Sequence, residues 1–116
     1  SLLAQVNGDK IRALAVSTAS RSEVAPSIRS VGEAGYGQSA VELWWGVLAP
    51  ANTPGPIVQK LNASINKVIV SEDMKAFFIK EGASPAPMST EAFEQHLSTE
   101  LTRWKRVAQA ANIQPE

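Results

Sequence analysis

No cysteine occurs in these 116 residues, which removes disulfide frameworks, thiolate nucleophiles and sulfur-ligated metals at once. Such a composition is compatible with an oxidising compartment. An excess of either charge is also missing: Lys plus Arg and Asp plus Glu number 11 each. No net field therefore draws the chain to phosphate backbones or anionic membranes, and nucleic acid is not an expected partner. No run approaches the roughly 20 apolar residues that span a bilayer. The opening residues, SLLAQVNGDK, have neither the basic start nor the long apolar stretch of a secretory signal. Histidine occurs once. With no second His, a zinc site would rest on several carboxylates, and His96 with Glu100 one turn on is expected as an exposed surface pair. The strained G-x-S-x-G elbow, the G-x-G-x-x-G fingerprint and the Walker lysine loop are absent, so no catalytic residue, metal or cofactor is expected.

What is present has the size of one ordinary domain. Leu2, Leu3 and Val6 followed by Asn7-Gly8 predict the last turn of a helix, with Gly8 in the left-handed cap position. Ile11 to Val16 is short and almost continuously apolar, as in a parallel strand covered on both faces. Ser17 to Ser22 lies where that strand ends, and ligands in open α/β sheets gather outside the carboxyl ends of strands. The plainer alternative is a solvated loop with its own hydroxyl-to-backbone bonds. Ser30-x-x-Glu33 matches the capping box, and Gly35 or Gly37 keeps the helix after it very short.

Val41 to Ala49, VELWWGVLA, is apolar on both faces from Leu43 onward and predicts a second buried strand. Its adjacent indoles, Trp44 and Trp45, point to opposite faces. One can be core and the other can line a cleft; equally, both can be core with their N–H groups bonded to carbonyls. Thr53-Pro54 predicts a helix entry, with Thr53 as N-cap and Pro54 at the first position. Ile57, Leu61, Ile65 and Val68 or Ile69 follow as a stripe packed on a sheet, with Asn62 on the opposite face. Ser71 starts another helix and Gly82 stops it. Ala83 to Met88 carries two prolines and is expected to be extended, as an edge strand or a covering segment. Ser89 or Thr90 caps the longest helix, whose buried stripe is Phe93, Leu97, Leu101, Trp104, Ala108 and Ala111. Asn112 can cap its end, and Ile113 to Glu116 is a tail. Trp104 on that stripe argues against a base-stacking role for Arg103-Trp104-Lys105-Arg106.

Taken together, several stretches carry a resemblance: Gly8 to Val16 (GDKIRALAV), Val31 to Tyr36 (VGEAGY), Trp44 to Pro54 (WWGVLAPANTP), Ile57 to Asn62 (IVQKLN), and Gly82-Ala83-Ser84-Pro85. The chain resembles the C-terminal part of the periplasmic substrate-binding proteins of tripartite tricarboxylate transporters, the Bug or TctC family. A departure is Arg29-Ser30, where the family usually has Pro-Thr. The resemblance implies an α/β fold, part of a type II-like periplasmic-binding-protein fold with short parallel strands and C-terminal amphipathic helices. Residues 1–40 would end the second lobe and cross over, and residues 41–116 would close the first. It implies a receptor that captures small carboxylates for membrane transporter subunits in the periplasm and catalyses nothing. On it, Ser17 and Thr18 are expected as hydroxyl donors to the ligand, and Trp44 or Trp45 as the cleft wall. Most ligand-holding loops would lie upstream. Two strands without sheet neighbours recruit other chains, so a homodimer or larger assembly is expected of this chain alone. The alternative is a stand-alone truncated product that acts as a self-associating interaction module.

Overall fold

Helix ends are where this chain states its structure most directly. In the computed structural model, which describes residues 2–113, the element order is α1 (Leu3–Asn7), a 3-10 turn (Gly37–Ser39), α2 (Gly55–Ile69), α3 (Glu72–Glu81) and α4 (Thr90–Ala110). Of the tail expected from Ile113, residues 114–116 lie outside the described residues. Gly82 stops α3 as expected: at φ 75° it lets its N–H donate to Ile79 O (3.1 Å) and the Ala83 N–H to Phe78 O (2.8 Å). Asn112, at φ 53°, closes α4 in the same way, onto Gln109 O and Ala108 O. Both are the paired 6→1 and 5→2 bonds that satisfy the orphan carbonyls of a last turn.

Two expected caps are displaced. Gly8 has φ −93°, and the left-handed residue after α1 is Asp9 at φ 54°. Asp9 N–H then reaches Val6 O (3.1 Å) and Lys10 N–H reaches Gln5 O (3.0 Å). Asp tolerates this region through its short polar side chain, so the helix runs one residue past the glycine. Thr53 does not cap α2. Its hydroxyl donates to Pro50 O (2.8 Å), and the Pro54 carbonyl accepts from the Ile57 and Val58 N–H groups (2.9 and 3.2 Å).

The expected strands do not form. Among the described residues the one β pairing is an isolated parallel bridge, Val16 to Ser30, so the α/β expectation is not met within them: they form helices and unpaired apolar segments. A parallel ladder needs a partner strand alongside, and beyond the single Val16–Ser30 bridge neither Ile11–Val16 nor Val41–Ala49 meets one here. The described chain divides into two compact units: residues up to Ala49 together with Ile69–Pro85, and Pro50–Val68 together with the residues from Ala86 on.

In the second unit, side-chain amides of α2 grip the chain that enters α4. Asn62 and Asn66 both donate to Met88 O (3.0 and 2.8 Å), and Gln59 donates to Thr90 Oγ1 (3.0 Å). Ser89 Oγ accepts from the Ala92 N–H (3.1 Å), which makes Ser89 the cap. These bonds turn the asparagine face of α2 inward. Val58, Asn62, Ile65, Asn66 and Ile69 are half-buried, whereas Ile57, Leu61 and Val68 of the expected stripe are exposed. On α4 the half-buried set is Thr90, Phe93, His96, Leu97, Glu100, Arg103 and Ala108, and Leu101 and Trp104 are exposed. His96 is thus partly covered and stacks on Phe93, with ring centroids 6.4 Å apart. Trp104, 47% exposed, donates its indole N–H to Glu100 Oε2 (3.1 Å). No helix among the described residues is long and apolar enough to cross a membrane.

An N-cap hydroxyl stabilises by about 1 kcal/mol. Ser89→Ala is therefore expected to lower the unfolding free energy of the helical signal by about that amount in urea titration, and Ser89→Asp to retain most of it.

Candidate functional site

Ser30 and Glu33 cap each other. The Ser30 N–H donates to Glu33 Oε2 (2.8 Å), and the Glu33 N–H donates to Ser30 Oγ (3.1 Å). This is the reciprocal capping box expected from the spacing, but it opens one turn and not a helix. Ala34 N–H reaches Ser30 O, Gly35 sits at φ 88°, and the Gly35 and Tyr36 N–H groups close onto Gly32 O and Val31 O. Glycine at the left-handed position ends the turn as soon as it has begun.

The same two residues organise the Ser17–Ser22 segment. Ser30, 0% exposed, donates its hydroxyl to Ala19 O (3.0 Å). Around it the bridge holds Val16 N–H on Arg29 O and Val31 N–H on Val16 O, both at 2.9 Å. Glu33 accepts from Arg21 Nε through both carboxylate oxygens (2.9 and 3.1 Å), and Arg21 also donates to Pro26 O (2.8 Å). Gly32 explains how the two segments of this knot come so close. A Cβ built there would lie 1.9 Å from the Ala19 carbonyl oxygen, so only glycine admits that carbonyl. Ala25, at 6% exposure, is the other buried residue among those described.

The ion pair is half exposed on both sides, so solvent screening keeps its worth small and its geometry is what matters. The backbone N–H of Ser30, and next the Arg21 guanidinium, hold the Glu33 carboxyl below its ordinary value of 4.5. Among the described residues no three His, Asp or Glu side chains gather as a metal site would need.

Of the four residues expected at a ligand, Ser17 and Thr18 lie in this knot. Ser17 O accepts from the Val41 N–H (2.8 Å), and Thr18 Oγ1 donates to Ser20 O (2.5 Å). That second bond is the local hydroxyl-to-backbone contact of the plainer alternative, and it uses the one Thr18 hydroxyl proton that a donor to a carboxylate needs. Trp44 and Trp45 stand three and four residues beyond Val41. Neither is core: Trp45 is 84% exposed and Trp44 is exposed as well. The Val41–Ser17 bond joins the two halves of the expected site through the backbone. Arg21 and Gly32 were not foreseen as parts of it. A glycine between a cap serine and its glutamate was the available sign of close backbone approach.

The family model described as "Tripartite tricarboxylate transporter family receptor" matches residues 1–113. The chain is 33% identical over 106 residues to a UPF0065 protein of Bordetella bronchiseptica, a match that covers 91% of this chain and 31% of that protein. It is 32% identical over 99 residues to a UPF0065 protein from the tcbD-tcbE intergenic region of a Pseudomonas species, covering 84% and 30%. With Protein BugT of Bordetella pertussis it shares 28% over 107 residues, covering 92% and 33%. The chain thus spans about a third of the length of these relatives.

Two outcomes follow from the knot. Gly32→Ala is expected to push the Ala19 carbonyl away and cost about 1–3 kcal/mol as an overpacked site, seen as shifted amide resonances over residues 17–22. Because the folded Glu33 pKa is depressed, the stability it contributes is fully present above 4.5 and is lost as pH falls through the lower folded value. The Ser30 amide resonance should therefore titrate below pH 4.5 in the wild type and lose that transition in Glu33→Gln.

Proposed function

Because the chain belongs to the tripartite tricarboxylate transporter receptor family, we propose that it is the C-terminal third of a periplasmic receptor that captures small carboxylates for membrane transporter subunits and catalyses no reaction. The observation that carries this reading is the family match over residues 1–113, against relatives about three times as long. Residues 1–40 would then end the second lobe and residues 41–116 close the first. Ser17 would meet the ligand with its hydroxyl and Thr18 by turning its hydroxyl proton from Ser20 O to the ligand, and Trp44 or Trp45 would form an apolar wall. Hydroxyls suit carboxylate oxygens, which accept two or more hydrogen bonds each. An indole beside them excludes water, and a less polar surrounding strengthens those bonds.

One observation favours the second reading, a self-associating interaction module. Leu43, Trp45, Val47 and Leu48 are all more than two-thirds exposed, and unpaired apolar segments recruit a second chain. Genomic sequence upstream of Ser1 separates the two readings. An in-frame continuation with a signal peptide supports the receptor, and a start codon just before Ser1 supports the module.

The receptor reading is tested in the receptor-length protein by following tryptophan fluorescence during titration with citrate and succinate. A hydrogen bond to a charged group contributes about 1.5–3 kcal/mol, so Thr18→Ala is expected to weaken binding about tenfold or more. Trp45→Ala is expected to weaken binding and reduce the fluorescence change. Unchanged affinity in both variants would remove these residues from the site.

A further inference from the structure

We propose that Ser30, Glu33 and Arg21 are positioning residues for the ligand-facing segment Ser17–Ser22, and that they set affinity by holding the Ala19 carbonyl and the Arg21 end of the segment in place without touching the ligand. The proposal rests on the receptor reading above. Its ground is the way the segment is held. None of the backbone N–H groups from Ser17 to Ser22 takes part in the backbone hydrogen bonds of turns and loops described for this unit, so its conformation depends on what its carbonyls accept and its side chains reach.

Ala19 O accepts from Ser30 Oγ, Ser17 O accepts from Val41 N–H, and Arg21 is clamped between Glu33 and Pro26 O. Two of these anchors, on Ser30 and on Glu33, converge on one turn. Ser30 can reach Ala19 because its own N–H and oxygen are fixed by Glu33, and because Gly32 leaves the gap that the Ala19 carbonyl fills. Removing the Glu33 charge loosens both ends of the clasp: Arg21 loses its carboxylate, and Ser30 loses a charge-assisted acceptor. Thr18 lies one residue before Ala19, so its hydroxyl moves with that carbonyl. A shift of about 1 Å in a polar group suffices to lose a well-aligned hydrogen bond.

The test uses the receptor-length protein with citrate and succinate as probes. It compares wild type, Glu33→Gln, Arg21→Ala, Ser30→Ala and the conservative Ser30→Thr. In Glu33→Gln, 15N order parameters over residues 17–22 are expected to fall from rigid values toward about 0.6, and the Val41 amide to exchange about tenfold faster. Dissociation constants should rise about tenfold with the α4 amides unchanged and only a small fall in thermal midpoint, as for a half-exposed ion pair, and Ser30→Thr should keep near-wild-type affinity. Should Ser30→Ala fail to fold, Glu33→Gln and Arg21→Ala alone decide the matter, since both side chains are about half exposed. Order parameters and Val41 exchange that stay as in the wild type overturn the clasp. Loosening without loss of affinity in a protein that binds either probe overturns the positioning role. Failure of the unsubstituted protein to bind either probe overturns the receptor reading itself, and this is seen before any substitution is made.

Discussion

The Ser30 side chain is the point on which the first unit depends. Its N–H, its hydroxyl proton, its hydroxyl oxygen and its carbonyl all have partners: Glu33 Oε2, Ala19 O, Glu33 N–H and Ala34 N–H. A fully buried serine is tolerable only when its polar atoms are satisfied in this way, because each one left unmade costs on the order of 1–3 kcal/mol. The satisfied set ties two separate pieces of chain together. Residues 16–22 lie against the turn 30–36, and Val41 enters beside them through Ser17. In a chain with almost no apolar core, a hydrogen-bonded knot takes over the work of fixing loop conformation.

The second constraint is what the chain leaves open. Burying a Val-, Leu- or Phe-sized side chain stabilises by about 1.5–3 kcal/mol. Leaving Leu43, Trp45, Val47 and Leu48 in water therefore forgoes on the order of 5–10 kcal/mol, comparable to the net stability of a whole small domain. The same holds on a smaller scale for Ile57, Leu61 and Val68 on α2 and for Leu101 and Trp104 on α4. Surface of this kind calls for cover. In the receptor reading the cover is the remainder of a protein three times as long, and in the module reading it is a second copy. The first accounts for both open helix faces and both unpaired segments with one cause.

Local signals in the sequence were legible where the physics is local. The Ser30–Glu33 box, Gly82, Asn112 and Ser89 act within three or four residues, and each stands in the structure where spacing places it. Gly8 and Thr53 were misplaced by one residue because Asp9 accepts a positive φ and the Pro50 carbonyl competes for the Thr53 hydroxyl. The inward faces of α2 and α4 were read from apolar spacing alone, which ranked Leu61 and Trp104 above Asn62 and Glu100. The asparagines prevail because Met88 O offers them a buried-side acceptor from residues more than twenty positions away. Strand pairing was least legible. Ile11–Val16 and Val41–Ala49 have the composition of covered strands, but pairing is a property of two segments, and only Val16 finds a partner here.

In the receptor reading, Val41–Ala49, unpaired here, becomes a strand only against neighbours in the rest of the receptor. Amide hydrogen exchange over Leu43–Leu48 tests it most directly, measured in this chain alone and in the receptor-length protein. The account predicts exchange near the rate of an open peptide in the isolated chain and strong protection in the longer one. Amides that remain open to exchange in the receptor-length protein would contradict it.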